Sequence, residues 1–153
     1  KDYVLIFDSR KDPRAASAGA ILVTRLMVKG CAGVVTDGGF RDSNEIKNLQ
    51  IPSYHNWASS PTNLTLHQAV DINVPIGCGD VAVFPGDLLV GDKEGVVVIP
   101  AHIIKEIADE IQSMTIYEDY VIEKVRKGSS IKGLYPLTDE KEKSVFEDWL
   151  KTN

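Results

Sequence analysis

The sequence predicts an α/β protein, and three segments near its start carry that prediction. The run "YVLIF" (3–7) is short and apolar throughout, as in a strand that is buried on both faces. The run "AILVTRLMVK" (20–29) is apolar nearly all round, and Gly30 follows it where a C-terminal cap is expected, so we predict a buried helix. The run "GVVT" (33–36) is the next strand. A strand, a helix and a strand in this order build parallel sheets.

The middle of the chain predicts short strands of a different kind. Residues 51–77 are rich in proline, asparagine and serine, which is typical of short strands with irregular turns. Residues 80–100 contain three short apolar runs, "VAVF", "LLV" and "VVVI", separated by the turn sequences "PGD" and "GDKEG". We therefore predict an antiparallel meander in this region, and hence a mixed sheet.

The end of the chain predicts two helices. Apolar residues recur at helical spacing between Ile103 and Val125, and Gly128 ends that pattern. Thr138 and Asp139 then stand where the N-terminal cap of a last, shorter helix is expected.

We predict a single domain over residues 1–153, with a core over 3–100 and a C-terminal helical extension over 101–153. The chain does not begin with methionine, and residue 3 already lies in a predicted core strand. We therefore expect that a further N-terminal segment precedes Lys1 in the whole protein.

Composition and charge restrict the classes of partner. The net charge of the 153 residues is -5, which gives no electrostatic reason to expect nucleic acid as a partner. No apolar run approaches the length that crosses a bilayer, so we expect no membrane partner either. Cys31 and Cys78 are too few for a disulfide framework and lack the spacing of metal ligands. Free thiols indicate a reducing compartment, and we predict a cytoplasmic protein.

The sequence "DGGFRD" (37–42) follows the second predicted strand and is the first candidate site. Its two glycines allow positive φ and close approach of a ligand, and ligands bind beyond the carboxyl ends of such strands. Arg41 offers a planar fork for a carboxylate or phosphate, and Asp42 offers oxygen to a divalent cation. Glu45 lies one turn further on if a helix begins at Ser43. A turn closed by an Arg–Asp ion pair and a helix cap explains the same residues without a ligand.

The start of the predicted helix at residue 20 is the second candidate. Free backbone N–H groups from Gly19 to Leu22 would bind an anion, with support from the helix dipole. A plain helix N-terminus with small residues for packing is the alternative. His67 is an isolated histidine, for which a hydrogen-bonded structural role is the more common one.

Two long stretches resemble the RraA-like family. They are "GAILVTRLMVKGCAGVVTDGGFRD" (19–42) and "NVPIGCGDVAVFPGDLLVGDKEGVVVIP" (73–100). The family contains regulators of ribonuclease E activity and class II, metal-dependent pyruvate aldolases that act on 4-hydroxy-4-methyl-2-oxoglutarate and 4-carboxy-4-hydroxy-2-oxoadipate. The resemblance implies a layered α/β/β domain with a mixed sheet, outside which the C-terminal helices of this chain would pack. It also implies a homotrimer or a hexamer with active sites at subunit interfaces.

The resemblance also implies roles for individual residues. Arg41 would hold the substrate carboxylate, and Asp42 would coordinate Mg2+ or Mn2+ directly or through water. The pyruvyl group would lie on the backbone amides at the helix start, which belong to Gly19, Ala20, Ile21 and Leu22.

One position departs from the aldolase pattern. The aldolases carry an acidic residue directly after the helix-start glycine, and this chain has Ala20 there. Glu45 is a plausible replacement for the proton-transfer role, and His67 is a weaker one. A carboxylate from a neighbouring subunit, such as Glu118 or Asp119, is a further alternative.

The resemblance implies a metal-dependent lyase that cleaves a 2-oxo acid to pyruvate through a metal-stabilised enolate, with oxaloacetate decarboxylation as a side activity. Catalysis would fall to Arg41, Asp42 and Glu45. A sugar-acid dehydratase with the same site is one alternative. A non-catalytic regulator that binds a ribonuclease is another, and a structural trimer with a degenerate site is a third. The family's ribonuclease regulators lack the aspartate after the arginine, so Asp42 favours the enzyme, whereas Ala20 favours the regulator.

Overall fold

The predicted strand–helix–strand unit is present at the start of the chain. In the computed structural model, which describes residues 2–152, β1 (Val4–Phe7) pairs in parallel with β3 (Gly33–Thr36). Helix α1 (Ala20–Val28) connects them, and β5 (Ser53–Tyr54) continues the sheet on the other side of β3. The α/β class predicted from the sequence is therefore confirmed.

A second parallel sheet, which the sequence did not reveal, positions the candidate site. It contains β2 (Ala16–Ala18), β4 (Gly39–Phe40) and β6 (Trp57–Ala58), in the order β2-β4-β6. Phe40 lies opposite Ala18 on one side and Ala58 on the other. Strands of two or three residues carry too little periodicity to be recognised in a sequence.

The antiparallel strands form two separate pairs. Strand β7 (Ile76–Cys78) pairs with β8 (Val81–Val83), and β9 (Leu88–Gly91) pairs with β10 (Val96–Ile99). The three strands predicted over 80–100 are therefore present, but their arrangement as one meander is wrong. Both pairing directions occur, but in different sheets, so the predicted mixed sheet is not formed by the described residues.

The backbone between β7 and β8 explains the pairing. Gly79 (φ 62°) and Asp80 (φ 68°) both adopt the left-handed conformation, which is the requirement of a tight two-residue hairpin. Strand β8 therefore pairs with β7, the strand before it.

The turn after β8 is stabilised by Asp87, whose carboxylate accepts hydrogen bonds from the backbone N–H groups of Phe84 (2.8 Å) and Ala101 (3.0 Å).

Helix α1 buries one face rather than its whole circumference. Val23 is fully buried and packs in a cluster with residues of β3, β4 and the segment after them, which are Val34, Phe40, Ile46 and Ile51. On the opposite face Ile21 is 84% exposed and Val28 is 69% exposed. The prediction of a helix buried all round is therefore wrong for the single chain, because only one face of the helix packs against the rest of it. The residues of β1 are likewise only half-buried, not buried on both faces.

The glycines of "DGGFRD" serve packing instead of positive φ. Neither Gly38 nor Gly39 has a positive φ. A Cβ at Gly38 would lie 2.7 Å from Ser9 Cβ and 3.1 Å from Ser17 Oγ. A Cβ at Gly39 would lie 2.9 Å from Ser59 Cβ. The expectation that these glycines admit a ligand is therefore wrong, because neighbouring segments of the chain already fill the space beside them.

Within the described residues, His102 and the residues after it belong to a second compact unit. Helix α3 (Ile104–Arg126) and α4 (Glu140–Leu150) pack around Tyr120 and Leu134. The Asp139 carboxylate caps α4, as predicted, by accepting hydrogen bonds from the N–H groups of Lys141 and Glu142. Within residues 2–152, no helix combines the length and the apolar character that a membrane-spanning segment needs.

The packing of Gly39 is testable by substitution. Gly39→Ala would place a methyl group against Ser59 and 3.0 Å from the carbonyl oxygen of Trp57, a backbone atom that cannot move away freely. We expect the free energy of unfolding, measured by urea denaturation, to fall by about 1–3 kcal/mol. Gly77→Ala is the matched control, because a Cβ there meets nothing within 4 Å, and it should change stability by less than about 0.5 kcal/mol. Equal effects of the two substitutions would contradict this packing role.

Candidate active site

Arg41 and Asp42 follow β4 directly and lie at the end of the second sheet. The Arg41 N–H donates to the carbonyl oxygen of Ala18 at 2.9 Å, which extends the pairing of β4 with β2 by one residue. Asp42 then takes a left-handed conformation (φ 57°, ψ 37°), an uncommon one for a residue other than glycine. This turn brings the Asp42 Oδ2 atom to 3.4 Å from Arg41 Nε. The pair is only partly shielded, so both groups are accessible to a ligand.

The N-terminus of α1 lies against this ion pair. Gly19 is the N-cap residue, and the N–H of Ala20 donates to Asp42 Oδ2 at 3.3 Å. A Cβ at Gly19 would lie 2.9 Å from Asp42 Oδ2 and 3.4 Å from Arg41 Nε, so a glycine is needed for this approach. The two regions that the sequence indicated separately, one around residue 19 and one around residue 41, therefore form one site.

The first turn of α1 retains the features of an anion site. In the part of the chain that the structure describes, the backbone N–H groups of Ile21 and Leu22 have no hydrogen-bond partner. The turn itself contains no acidic residue, and the Asp42 carboxylate, which accepts from the Ala20 N–H, lies beside it. The free N–H groups of Ile21 and Leu22 and the nearby Arg41 guanidinium offer hydrogen-bond donors to a carboxylate.

Glu45 lies in the same region as the Arg41–Asp42 ion pair. Helix α2 (Ser43–Ile46) begins after Asp42, as the sequence predicted, and places Glu45 on the wall of a cavity of about 350 Å³. Residues from α2, from the Arg41–Asp42 turn and from the segment after β6 line this cavity, and they are Phe40, Arg41, Asp42, Ser43, Asn44, Glu45, Ala58, Ser59 and Ser60. The structure thus brings Arg41, Asp42 and Glu45 to one cavity.

The segment at residues 58–60 is part of the cavity wall that sequence reasoning missed. Ser59 and Ser60 occur in a Ser/Pro-rich run that reads as an ordinary turn. Only the parallel pairing of β4 with β6 places them beside Arg41. The Ser59 hydroxyl is buried and donates to the carbonyl oxygen of Pro13 at 2.6 Å, so its role is structural.

The other candidates for the missing acidic group do not line this cavity. His67 is not among the lining residues, and its Nε2 atom is buried without a hydrogen-bond partner in the described part of the chain. Glu118 belongs to the helical unit, where its carboxylate accepts a hydrogen bond from the Tyr135 hydroxyl at 3.2 Å. Asp119 lies on the same helix, α3. Among the residues proposed from the sequence, Glu45 alone brings a second carboxylate to the walls of this cavity.

A larger cavity of about 510 Å³ lies elsewhere in the first unit, and its buried carboxylate accepts hydrogen bonds from three backbone N–H groups. Asp37 is 3% exposed and accepts hydrogen bonds from the backbone N–H groups of Ser9 (2.7 Å), Lys11 (3.2 Å) and Gly79 (3.4 Å). Asp37 therefore ties the loop after β1 to the hairpin after β7.

Cys78 lines this larger cavity beside Asp37. Burial, reinforced by the nearby Asp37 carboxylate, raises the pKa of the Cys78 thiol to about 11. A higher pH is therefore needed to form the thiolate, which is the reactive species.

The Cys78 environment makes its alkylation slow. At pH 8 a thiol with this raised pKa carries roughly one hundredth of the thiolate of an ordinary cysteine. In the native Cys31→Ala protein, we expect iodoacetamide to modify Cys78 about 100-fold more slowly than it modifies free cysteine. Denaturation in urea should abolish the difference. An equal rate in the native protein would contradict the burial of this thiol.

The donor set around Asp42 fits a hard divalent cation that keeps most of its water. Among residues 2–152, no three His, Cys, Asp or Glu side chains converge as a complete metal cluster. Mg2+ is commonly held by one or two carboxylates, with water and substrate oxygens completing the octahedron. Within the described residues Asp42 Oδ1 accepts no hydrogen bond, and Glu45 lines the same cavity. These two carboxylates would hold such a cation.

Comparison with known proteins agrees with the fold. Residues 1–98 match the RraA-like family, described as Aldolase/RraA, and the chain belongs to this family. The chain is 31% identical over 97 residues to 4-hydroxy-4-methyl-2-oxoglutarate aldolase of Thermus thermophilus, which covers 63% of this chain and 58% of that protein.

Two solved structures extend the comparison. An uncharacterised protein from Pseudomonas syringae has the same fold, with a TM-score of 0.82 at 22% identity, over 90% of this chain and 65% of the other. A Streptomyces coelicolor protein, described as an unusual member of the RNase ES inhibitor RraA protein family, gives a TM-score of 0.64 at 27% identity, over 79% of this chain and 62% of the other. The chain spans about half the length of the curated relatives it matches.

The contact of Gly19 with the ion pair predicts a separation of binding from stability. Gly19→Ala would push the Asp42 and Arg41 side-chain ends apart, and these can move without unfolding the protein. We expect stability to fall by only about 1 kcal/mol, the ordinary preference of an N-cap for glycine over alanine. We expect affinity for oxalate in excess Mg2+, measured by calorimetry, to fall by about tenfold or more, because Asp42 and the helix N-terminus no longer meet. Unchanged affinity would show that this contact does not shape the site, and Gly77→Ala serves again as the control.

Proposed function

We propose that this chain carries the site of a divalent-metal-dependent lyase that cleaves a 2-oxo acid to give pyruvate. The observation that supports it most directly is the meeting of Arg41, Asp42 and the N-terminus of α1 within hydrogen-bond reach of one another. That arrangement would put an anion site beside a cation site. A 2-oxo acid, with its carboxylate and its adjacent carbonyl oxygen, needs both.

The acid end of the substrate would lie on Arg41 and α1. The guanidinium donates in a planar fork, and the free N–H groups of Ile21 and Leu22 add donors that the protein itself leaves unpaired. Gly19 and Ala20 carry no large side chain that would block this approach. Binding here fixes the reacting carbons relative to the carboxylates of Asp42 and Glu45.

Asp42 and Glu45 would hold Mg2+ or Mn2+, and Glu45 would also take part in proton transfer. The cation, when bound, supplies Lewis-acid stabilisation of the negative charge that develops on the 2-oxo oxygen. Glu45 would accept the proton of the C4 hydroxyl as the C3–C4 bond breaks and its electron pair passes to C3. C4 then becomes the carbonyl carbon of an aldehyde or of a second oxo acid, and protonation of C3 completes pyruvate. The same charge stabilisation supports decarboxylation of oxaloacetate.

The assembly and the compartment are part of the proposal. We propose a homo-oligomer, a trimer or a hexamer, with sites at subunit interfaces, in the cytoplasm, and with neither nucleic acid nor membrane as a partner. Apolar side chains around the site support an interface: Ile21 is 84% exposed, Leu22 42% and Trp57 40%. The net charge of -5 supports the exclusion of nucleic acid.

A regulator without catalysis is the second candidate. It is supported by the similarity to the RNase ES inhibitor family at 27% identity and by Ala20, which removes the acidic side chain expected next to the site. The two candidates differ in their dependence on Asp42. An enzyme needs its carboxylate for turnover, whereas a protein-binding regulator would retain its partner without it.

The enzyme proposal predicts that pyruvate release depends on Asp42 and on metal. With oxaloacetate and with 4-hydroxy-4-methyl-2-oxoglutarate, we expect release above the uncatalysed rate with Mg2+ or Mn2+, and none above it with EDTA. Asp42→Asn, which keeps the shape but removes the charge, should lower kcat/KM by about 100-fold or more, the loss of a charged group that acts in the transition state. The matched control Asp71→Asn changes an exposed loop carboxylate and should leave kcat/KM unchanged. Equal activity of Asp42→Asn and the parent protein would contradict the role of Asp42, and no release above the uncatalysed rate from the parent protein would favour the regulator.

A further inference from the structure

The first half of helix α3 is exposed on all sides. Its second half packs with α4 around Tyr120 and Val121, whereas every residue in the range 105–116 is exposed. In this range Ile107, Ile111 and Met114 recur at intervals of four and three residues, so they form an apolar stripe on one face of the helix. Helices in proteins gain most of their stability from the packing of such a face, so we expect the stripe to be covered.

The outer face of α1 is the second exposed apolar surface. Ile21 and Val28 are exposed on it, seven residues apart, and Leu22 lies at its edge. Arg25 lies between Ile21 and Val28, and Lys29 follows Arg25 by one turn of helix. Since α1 contains no acidic residue, this outer face is both apolar and cationic.

The charges of the two surfaces are complementary. Glu106 and Glu110 lie beside the apolar stripe of α3 and are four residues apart, as are Arg25 and Lys29 of α1. Side chains four residues apart are neighbours on a helix, so two ion pairs between the helices can form at once. Within the described residues, none of these four side chains has an ion-pair partner.

We propose that the outer face of α1 in one copy binds the apolar stripe of α3 in a second copy of this chain. This contact specifies an interface of the homo-oligomer in the proposed function, and in that respect it rests on the proposed function. Burial of apolar side chains supplies the association energy, and the charges select the partner surface and align the two helices. Each copy carries one surface of each kind, so all of them are covered only in a closed assembly, such as a ring of three copies.

The contact would bring the second copy to the candidate active site. Ile21 and Leu22 belong to the outer face of α1 and also carry the free N–H groups of its first turn. Helix α3 of the second copy would therefore lie beside the anion site and shield it from water.

Reversal of the charges tests this interface. Sedimentation velocity over a range of concentrations measures the association of the parent chain and of two double variants, Glu106→Lys with Glu110→Lys, and Arg25→Glu with Lys29→Glu. We expect each double variant to raise the dissociation constant at least tenfold, because two attractions become two repulsions. We expect the combination of all four substitutions in one chain to restore association, because the exchanged charges are again complementary.

A matched control makes the same change of net charge elsewhere. Asp71→Lys with Glu147→Lys replaces two exposed carboxylates that lie on neither helix, and it should leave the dissociation constant unchanged. Thermal unfolding of each variant establishes that it folds. A monomeric parent chain, association that survives both charge reversals, or no recovery in the folded chain with all four substitutions would each overturn the inference.

The apolar stripe is tested by the same substitution at two positions of α3. Ile111 is 54% exposed and lies on the stripe, whereas Ile116 is 42% exposed and lies on the other side of the helix. We expect Ile111→Gln to raise the dissociation constant about tenfold, because it removes apolar surface from the contact. Ile116→Gln is the matched control and should leave the constant unchanged. Equal effects of the two substitutions would overturn the place of the stripe in the contact.

Pyruvate release, measured on the same samples, keeps the interface apart from the proposed lyase activity. A parent chain that stays monomeric and still releases pyruvate in Mg2+ would overturn the interface and leave the activity standing. A chain that assembles as expected and releases no pyruvate above the uncatalysed rate would overturn the activity and support the interface.

Discussion

The pairing of β2 with β4 is the constraint on which the candidate site depends. It places Ala18 opposite Phe40, so the next residue on each strand, Gly19 and Arg41, leaves the sheet at the same end. Helix α1 begins from one strand and the Arg41–Asp42 turn from the other, and the hydrogen bond from the Ala20 N–H to Asp42 joins them. The candidate anion site and the candidate cation site are therefore neighbours, because the two segments that carry them leave adjacent strands at the same end of the sheet.

Close packing of small residues makes this arrangement possible. Gly19 allows the start of α1 to touch the ion pair, and Gly39 allows β4 to lie against Ser59. The only strained backbone within the "DGGFRD" turn is at Asp42, whose left-handed conformation turns its carboxylate back toward Gly19. The glycines thus allow close packing around the sheet, and Asp42 has the strained backbone conformation that directs its carboxylate toward Gly19.

Asp37 differs in its surroundings from Asp42 and Glu45. Asp37 is buried and accepts hydrogen bonds from three backbone N–H groups, so it closes loops. Asp42 and Glu45 lie on the wall of an open cavity and keep unused oxygen atoms. Asp42 lies only five positions after Asp37 in the chain, so burial and hydrogen bonding distinguish the two carboxylates.

Much of this protein follows from its sequence alone. The order of strand and helix, the cap at Asp139 and the membership of the RraA-like family are all determined locally, by periodicity, capping and motif. Only the tertiary structure decided five other features. They are the second parallel sheet, the pairing of β8 with β7, the exposed face of α1, the packing role of Gly38 and Gly39, and the presence of Ser59 and Ser60 at the site. The physical reason is that each of these features depends on contacts between segments that are distant in the chain, or on the left-handed backbone conformation of single residues. Strands this short are not recognisable from the periodicity of the sequence.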